Sequence, residues 1–273
     1  MTTVTPRVFV LGHRGMLGHV VARVFADRGY AVETSADRYG GDPRDSLIEA
    51  ARESGCGAVI NCLGSTKRRN GDRSELYINN ALFPVHLAAR LRPDQHLIHA
   101  STDCVFDGQR GGYRVDDEPD APDDYGFSKR LGEMIAGRPN VTILRVSIIG
   151  PDRPDGRSLL AWFFRQPAGS EVPGYTNHRW NGVTTLEWAT IALAVLEKRR
   201  HGQRVAPVMQ PGTAAVTKYD LLVAVRDAFG LTTRVVPTET PVAVDRTLVP
   251  TDRRDPIRAQ LERLRDWYGA LPC

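Results

Sequence analysis

The chain has 273 residues, 41% hydrophobic and 25% charged, with a formal net charge of +4. This is the balance of a soluble globular protein with room for one large domain and a small attached lobe. The basic charge is carried almost wholly by arginine interleaved with Asp and Glu, and the densest basic run, Lys67–Arg69, is too short for a nucleic-acid stripe. No apolar stretch approaches membrane-spanning length, and Met1–Arg7 is too polar for a signal peptide. Cys56, Cys62, Cys104 and Cys273 show neither metal-ligand spacing nor a disulfide framework. The expectation is a cytoplasmic protein with reduced thiols and no metal.

Short β-branched runs alternate with helical patterns through the first half. Strands are predicted at Val8–Leu11, Ala31–Thr34, Ala58–Asn61, His96–Ser101 and Val141–Val146. Helices are predicted at Met16–Arg28, Ser46–Glu53, Glu75–Leu91 and Tyr125–Ile135. This alternation predicts an α/β fold, a doubly wound Rossmann-type parallel sheet with helices on both faces. After Gly150-Pro151 the pattern changes. A short aromatic-rich helix at Ser158–Phe164 precedes a loop, Gln166–Gly182, and then helices at Thr185–Lys198, Thr217–Phe229 and Ile257–Trp267. We therefore expect a dinucleotide-binding domain over 1–150 and a smaller substrate-binding lobe over 151–273. The segment at about 185–200 is expected to pack back on the first domain.

The first strand runs directly into Gly12-His13-Arg14-Gly15-Met16-Leu17-Gly18, where the first helix begins. In this context Gly12 permits a tight turn, Gly15 lets backbone N–H groups approach a pyrophosphate, and Gly18 lets helix and strand pack closely. The pyrophosphate then sits at the positive end of the helix. The second strand ends Val32-Glu33-Thr34-Ser35 with no acid at the expected tip. Arg14 and Arg38 are placed to clamp a 2′-phosphate. NADP(H) is thus the preferred cofactor and NAD(H) the alternative.

Tyr125-Gly126-Phe127-Ser128-Lys129 places a phenol and an ammonium four residues apart, on one helix face. The expectation is that the lysine lowers the tyrosine pKa and binds the nicotinamide ribose, leaving the tyrosine as general acid for a carbonyl oxygen receiving hydride. The strand before it ends in Ser101-Thr102-Asp103-Cys104-Val105-Phe106, and the Thr102 hydroxyl can hydrogen-bond the same oxygen.

Together with Asn61-Cys62-Leu63-Gly64, Tyr77-Ile78-Asn79-Asn80, Asp107-Gly108, Gly132-Glu133 and Leu144-Arg145, these motifs resemble the extended short-chain dehydrogenases, specifically the dTDP-4-dehydrorhamnose reductase branch. The resemblance covers about the first 150 residues. It implies reduction of the 4-keto group of a nucleotide-linked 6-deoxyhexose, with Thr102, Tyr125 and Lys129 as the catalytic trio. It also implies that the Asn61–Gly64 segment lines the cofactor, so that the expected cofactor residues are Gly12, Arg14, Gly15, Met16, Leu17, Gly18, Arg38, Cys62, Leu63, Gly64, Asn79 and Lys129. Cys104, Val105 and Phe106 are expected beside the substrate.

The second half matches less closely and is read from its residues. Tyr175 and Trp180 are candidates to stack on a nucleobase, and Arg165 and Arg179 to pair with a diphosphate, with His178 nearby. The expected partner is a nucleotide sugar, with a homodimer as an option and neither nucleic acid nor membrane.

Two other functions stay open. The glycine loop and Cys104 are also similar to GDP-fucose synthases, which epimerise and then reduce. If the chain stays extended past Ser101, Cys104 shares a face with Thr102 and would be a candidate base, with His178 the one nameable second acid–base group. The expectation is instead that Cys104 shapes the pocket of a simple reductase. The family also resembles a non-catalytic, cofactor-binding partner of methionine adenosyltransferase, a role that does not need the intact trio.

Overall fold

The computed structural model describes residues 5–66, 73–152, 156 and 158–269; the basic run Lys67–Arg69 and Cys273 lie outside them. Five strands, β1 (Arg7–Leu11), β2 (Ala31–Thr34), β3 (Ala58–Asn61), β4 (His96–Ser101) and β5 (Val141–Arg145), form a central sheet with a sixth, β6 (Val208–Met209). All are parallel, in the order β6-β5-β4-β3-β1-β2. The chain steps from β1 to β2 on one side and then to β3 on the other. The crevice between the ends of β1 and β3 is therefore the topological switch point, where α/β sheets bind ligands.

Apolar runs such as Val8-Phe9-Val10-Leu11 form strands buried on both sides. On one face α1 (Gly18–Asp27) packs Val20, Val21, Val24 and Phe25. On the other lie α2 (Ser46–Glu53) and, beyond a short α3 (Arg73–Tyr77), α4 (Phe83–Arg90). The segment leading to the site is α5 (Asp124–Gly132), whose N-cap Asp123 accepts from Gly126 N at 3.0 Å.

Beyond residue 150, α6 (Leu159–Phe164), α8 (Lys218–Phe229) and α9 (Ile257–Tyr268) share a core of Phe163, Trp180, Leu221, Val225 and Leu261. Between α6 and α8 in the chain runs α7 (Thr185–Arg200), which shares the α1 core through Trp188, Ala189, Ala192 and Leu196. Among the described residues no helix is long and apolar enough to cross a membrane.

Two predicted elements differ. Gln166–Gly182 is not a loop. Glu171–Tyr175 pairs parallel with Arg234–Thr238, and His178–Trp180 pairs with both Val216–Thr217 and Val244–Asp245. The partners lie tens of residues downstream, and Pro173-Gly174 interrupts any local strand pattern. The helix predicted over Glu75–Leu91 is split by a π-turn, Ile78–Leu82. The cause is Pro84, which lacks the N–H that an α-helix would offer to the carbonyl of Asn80, and whose ring crowds that carbonyl.

Candidate active site

At the switch point the Gly12–Gly18 turn is pressed against the end of β3. Gly12 has φ 76°, and a Cβ there would lie 2.9 Å from Leu63 N; a Cβ on Gly18 would lie 2.2 Å from Gly12 O. Both glycines are thus required by close backbone approach. Gly15 N donates to Gly12 O at 2.9 Å. No side chain caps the N-terminus of α1 and its first turn carries no acid, so an anion placed there meets N–H groups without a competing carboxylate. This cradle fits a dinucleotide pyrophosphate. Met16 is half-buried at the turn, and Leu17 faces the core. Cys62 N donates to Leu11 O at 3.1 Å, and Leu63 N to Asn61 Oδ1 at 3.0 Å, holding this lining in register with β1. Gly64 is exposed beside them, and Asn79 Nδ2 donates to Ser65 Oγ at 2.9 Å.

Glu33 is engaged away from the tip of β2, in an ion pair with Arg7 and a contact with the Cys56 thiol. Arg14 and Arg38 are exposed and have no ion-pair partner among the described residues.

Thr102, Tyr125 and Lys129 come from the end of β4 and the start of α5. The two are locked by Gly126: a Cβ there would lie 2.2 Å from Cys104 O. Thr102 is extended (φ −148°, ψ 155°) and then the chain turns, Asp103–Val105 forming a 3-10 turn. Thr102 Oγ1 donates to Asp103 Oδ1 at 3.1 Å and accepts from Cys104 N at 3.2 Å. The chain therefore stays extended only through Thr102 and turns before Cys104, and the alternation argument for Cys104 fails. Its half-buried thiol is pushed up to about 12, first by burial and next by Asp103, which leaves it protonated and a poor base.

Lys129 is buried and donates from Nζ to the carbonyl of Ala100 at 2.7 Å. Burial lowers it to about 8, with Glu133 opposing. The expected lowering of Tyr125 is not found. Burial and then Cys104 push the phenol up, with a hydrogen bond to Thr102 the opposing influence. The ammonium is aimed at the β4 backbone, so Tyr125 is a protonated phenol, as a proton donor must be.

Below this group lies a network of residues that stand in the motifs but were assigned no role. Ser101 Oγ donates to Glu133 Oε1 at 2.5 Å, and Arg145 pairs with Glu133 at 2.6 Å, both side chains about 5% exposed. The signal was in the chain: Glu133 is four residues past Lys129, on the same helix face.

The lobe corrects several assignments. Trp180 is 2% exposed, its indole N–H donating to Ser147 Oγ at 2.8 Å; it is core, with no free face for a base. Val105 and Phe106 are fully buried against Tyr113 and Leu248, their apolar surface spent on packing. Arg179 pairs with Asp245 at 3.4 Å, and Arg165 donates to Gly156 O at 2.7 Å. His178 Nε2 meets Thr240 Oγ1 at 2.8 Å, and burial lowers its pKa. Tyr175 remains exposed at the edge of its strand, beside His178. The lobe cations that act on buried Asp103 are Lys218 and Arg246, neither of which stood in a recognisable motif. Arg246 is fixed by the carbonyls of Phe106 and Asp107 at 3.0 and 3.1 Å. Among the described residues no cluster of His, Cys, Asp and Glu is arranged to hold a metal ion.

Comparison with known proteins places this geometry. The family model described as the RmlD substrate binding domain matches residues 6–265. A probable dTDP-4,6-dihydroxy-2-methyloxan-3-one 4-ketoreductase of Streptomyces antibioticus is 34% identical over 79% of this chain and 74% of its own. A probable low-salt glycan biosynthesis reductase of Haloferax volcanii is 32% identical over 69% of this chain and 70% of its own. Among solved structures, the dTDP-4-dehydrorhamnose reductase of Bacillus anthracis in complex with NADP superposes with a TM-score of 0.78 at 18% identity, covering 96% of this chain and 99% of that one. At that identity the likeness speaks for the fold.

Proposed function

This chain belongs to the RmlD substrate binding domain family, and from that premise we propose that it is an NADPH-dependent reductase of the 4-keto group of a nucleotide-linked 6-deoxyhexose, acting in deoxysugar biosynthesis. The observation that carries the reading is the close seating of α5 on the Thr102–Cys104 turn through Gly126, beside a pyrophosphate cradle at the switch point. The related Streptomyces 4-ketoreductase and the NADP-bound Bacillus reductase support it.

The cofactor, when bound, supplies the hydride. Its diphosphate would rest on the Gly12–Gly18 turn, its adenosine phosphate on Arg14 and Arg38, and its nicotinamide half along Cys62–Gly64 and Lys129. Thr102 holds the ketone oxygen by a hydroxyl hydrogen bond. Tyr125, protonated and desolvated, gives its proton to that oxygen as negative charge develops there. Lys129, charged near neutral pH and held by the Ala100 carbonyl, would meet the ribose of the nicotinamide half.

Residues 1–150 form the cofactor part and 151–273 the substrate part in this reading, with Tyr175, Lys218 and Arg246 on the nucleotide side. Cytoplasmic residence and homodimer assembly belong to the same proposal. The protonated Cys104 thiol and the engaged His178 weigh against an epimerase–reductase, and the intact trio weighs against a purely regulatory subunit.

The test is to supply the purified protein with NADPH and a panel of nucleotide-linked 4-keto-6-deoxyhexoses and follow NADPH consumption and product. Turnover with at least one of them is expected. NADPH binding without turnover of any keto-sugar would replace the enzyme with a cofactor-binding protein.

A further inference from the structure

The last helix of the lobe reaches the glycine turn through one histidine. His19 lies in the first turn of α1, and its Nδ1 is 2.8 Å from the carbonyl oxygen of Gly15. Its Nε2 is 2.6 Å from the hydroxyl of Tyr268, the final residue of α9. A carbonyl oxygen can only accept, so Nδ1 carries a proton and donates. In the neutral ring Nε2 is then the acceptor, and the Tyr268 hydroxyl donates to it. Burial pushes that hydroxyl up to about 12, with Arg23 opposing, so it keeps the proton it donates.

The Gly15 carbonyl matters for what is joined to it. Gly15 C=O and Met16 N–H belong to one planar peptide unit, and in a trans peptide they point in opposite directions. The Gly15 oxygen faces along α1 toward His19, so the Met16 N–H points out of the N-terminal end of the helix. The backbone alone holds that oxygen loosely: His19 N lies 3.3 Å from it, and the imidazole supplies the shorter bond. One turn further along α1, the Arg23 guanidinium lies 4.3 Å from the centre of the Trp267 ring. His19 and Arg23 are four residues apart, on one face of α1, and α9 docks on that face with Tyr268 and Trp267. Its Leu261 and Leu264 belong to the lobe core. A single helix therefore joins the lobe core to the phosphate turn.

We propose that His19 and Tyr268 are positioning residues for the cofactor: through the imidazole, the C-terminal helix holds the Gly15–Met16 peptide with its N–H presented to the dinucleotide pyrophosphate. The inference rests on the dinucleotide reading of the glycine turn. The two bonds of the imidazole can be cut separately. His19→Asn places an amide nitrogen where Nδ1 lies, so it keeps the bond to Gly15 and loses Tyr268. His19→Gln places its amide where Nε2 lies, so it keeps Tyr268 and leaves the Gly15 carbonyl to the backbone. Tyr268→Phe keeps the ring but removes the donor that fixes the tautomer. The imidazole is then free to turn an unprotonated Nδ1 toward the carbonyl, where no hydrogen bond forms.

The experiment uses the full-length protein and two readouts: Tm, and the NADPH dissociation constant by cofactor fluorescence without sugar. His19→Gln is expected to weaken NADPH by about tenfold and Tyr268→Phe by about threefold, the range of one neutral hydrogen bond. His19→Asn is expected to bind within about twofold of wild type, a rescue that follows the Gly15 bond and not the contact with α9. Folded variants with lower Tm but unchanged NADPH affinity would reduce the pair to a docking contact and overturn the proposal. Equal affinities in His19→Asn and His19→Gln, both weak or both native, would do the same. Should His19→Gln fail to fold, the other two decide: His19→Asn binding more tightly than Tyr268→Phe supports the proposal, and the reverse order overturns it. A wild type that binds neither NADPH nor NADH defeats the dinucleotide reading, and the proposal falls with it. A wild type that binds NADPH but reduces no keto-sugar defeats the reductase reading alone, and the order of affinities still decides this one.

Discussion

The Lys129 ammonium donates to the backbone carbonyl of Ala100 at 2.7 Å, so the cation of α5 is anchored to the final residues of β4. That bond fixes the lysine but does not offset the cost of burying its charge. The lowering from 10.5 to about 8 corresponds to about 3 kcal/mol. Below about pH 8 the lysine is charged in folded and unfolded chains alike, and the full cost weighs on the fold. Between about 8 and 10.5 the unfolded chain holds a proton that the folded chain does not, so stability rises with pH across that window. Lys129→Met is therefore expected to abolish reduction and raise Tm by a few degrees at pH 7, net of about 1 kcal/mol for the lost Ala100 bond. The gain should shrink as pH rises above 8. Melting curves at several pH values check this; a variant less stable than wild type at pH 7 would contradict it.

In the proposed reaction Tyr125 supplies a proton and not a cofactor contact. Tyr125→Phe should lower kcat by about 10²–10⁴-fold while the NADPH dissociation constant stays near that of wild type. Lys129→Ala should damage both. Near-normal kcat in Tyr125→Phe would assign the proton to another group.

With Glu33 committed to Arg7 and Cys56, the proposed holders of the adenosine phosphate are Arg14 of the Gly12–Gly18 turn and Arg38, beyond the end of β2. NADPH should be preferred over NADH in kcat/KM. Removing both arginines should narrow that preference by roughly 10–100-fold, the worth of one or two charged hydrogen bonds, with NADH use unchanged. Equal use of the two cofactors by the wild type would remove the clamp.

What could be read from the sequence was what repeats locally. The five strands of the first half, the Gly12–Gly18 turn at the switch point and the Tyr125/Lys129 spacing all follow from periods of 2 and 3.6 and from glycines with a backbone reason. What escaped depends on distant partners. Trp180 looks like a free aromatic until Ser147 and the α8 core close on it. Arg179 looks like a free cation until the 244–245 strand supplies Asp245. Lys218 and Arg246 turn toward Asp103 only once the lobe folds. The π-turn was the missed local signal: Pro84 stands four residues after Asn80, and that spacing cannot continue an α-helix unbroken.

Gly126 offers a test of the site separate from stability. Adding a methyl group there meets the backbone carbonyl of Cys104, which cannot rotate aside as a side chain can, so α5 must move outward. Gly126→Ala should lower kcat by about 10²-fold through misplacement of Tyr125, measured well below the variant's Tm. Full activity would mean that α5 need not lie where the folded chain holds it.

Cys104 decides between the two enzyme readings. Epimerisation beside the ketone needs a thiolate that removes a proton from carbon, yet burial and Asp103 hold this thiol at about 12. At pH 7.5 that leaves on the order of one thiolate in 10⁴–10⁵. Arg246 opposes the shift without reversing it, and the turn at Asp103–Val105 places the thiol by a bend, not by strand alternation. His178, which would have to return the proton from the other face, is hydrogen-bonded to Thr240. Cys104→Ser should therefore keep kcat within about tenfold of wild type, since a hydroxyl of similar size still shapes the pocket. In deuterium oxide without NADPH, neither protein should introduce deuterium at the carbons flanking the ketone above the no-enzyme background. Exchange in the wild type that disappears in Cys104→Ser would make the chain an epimerase–reductase.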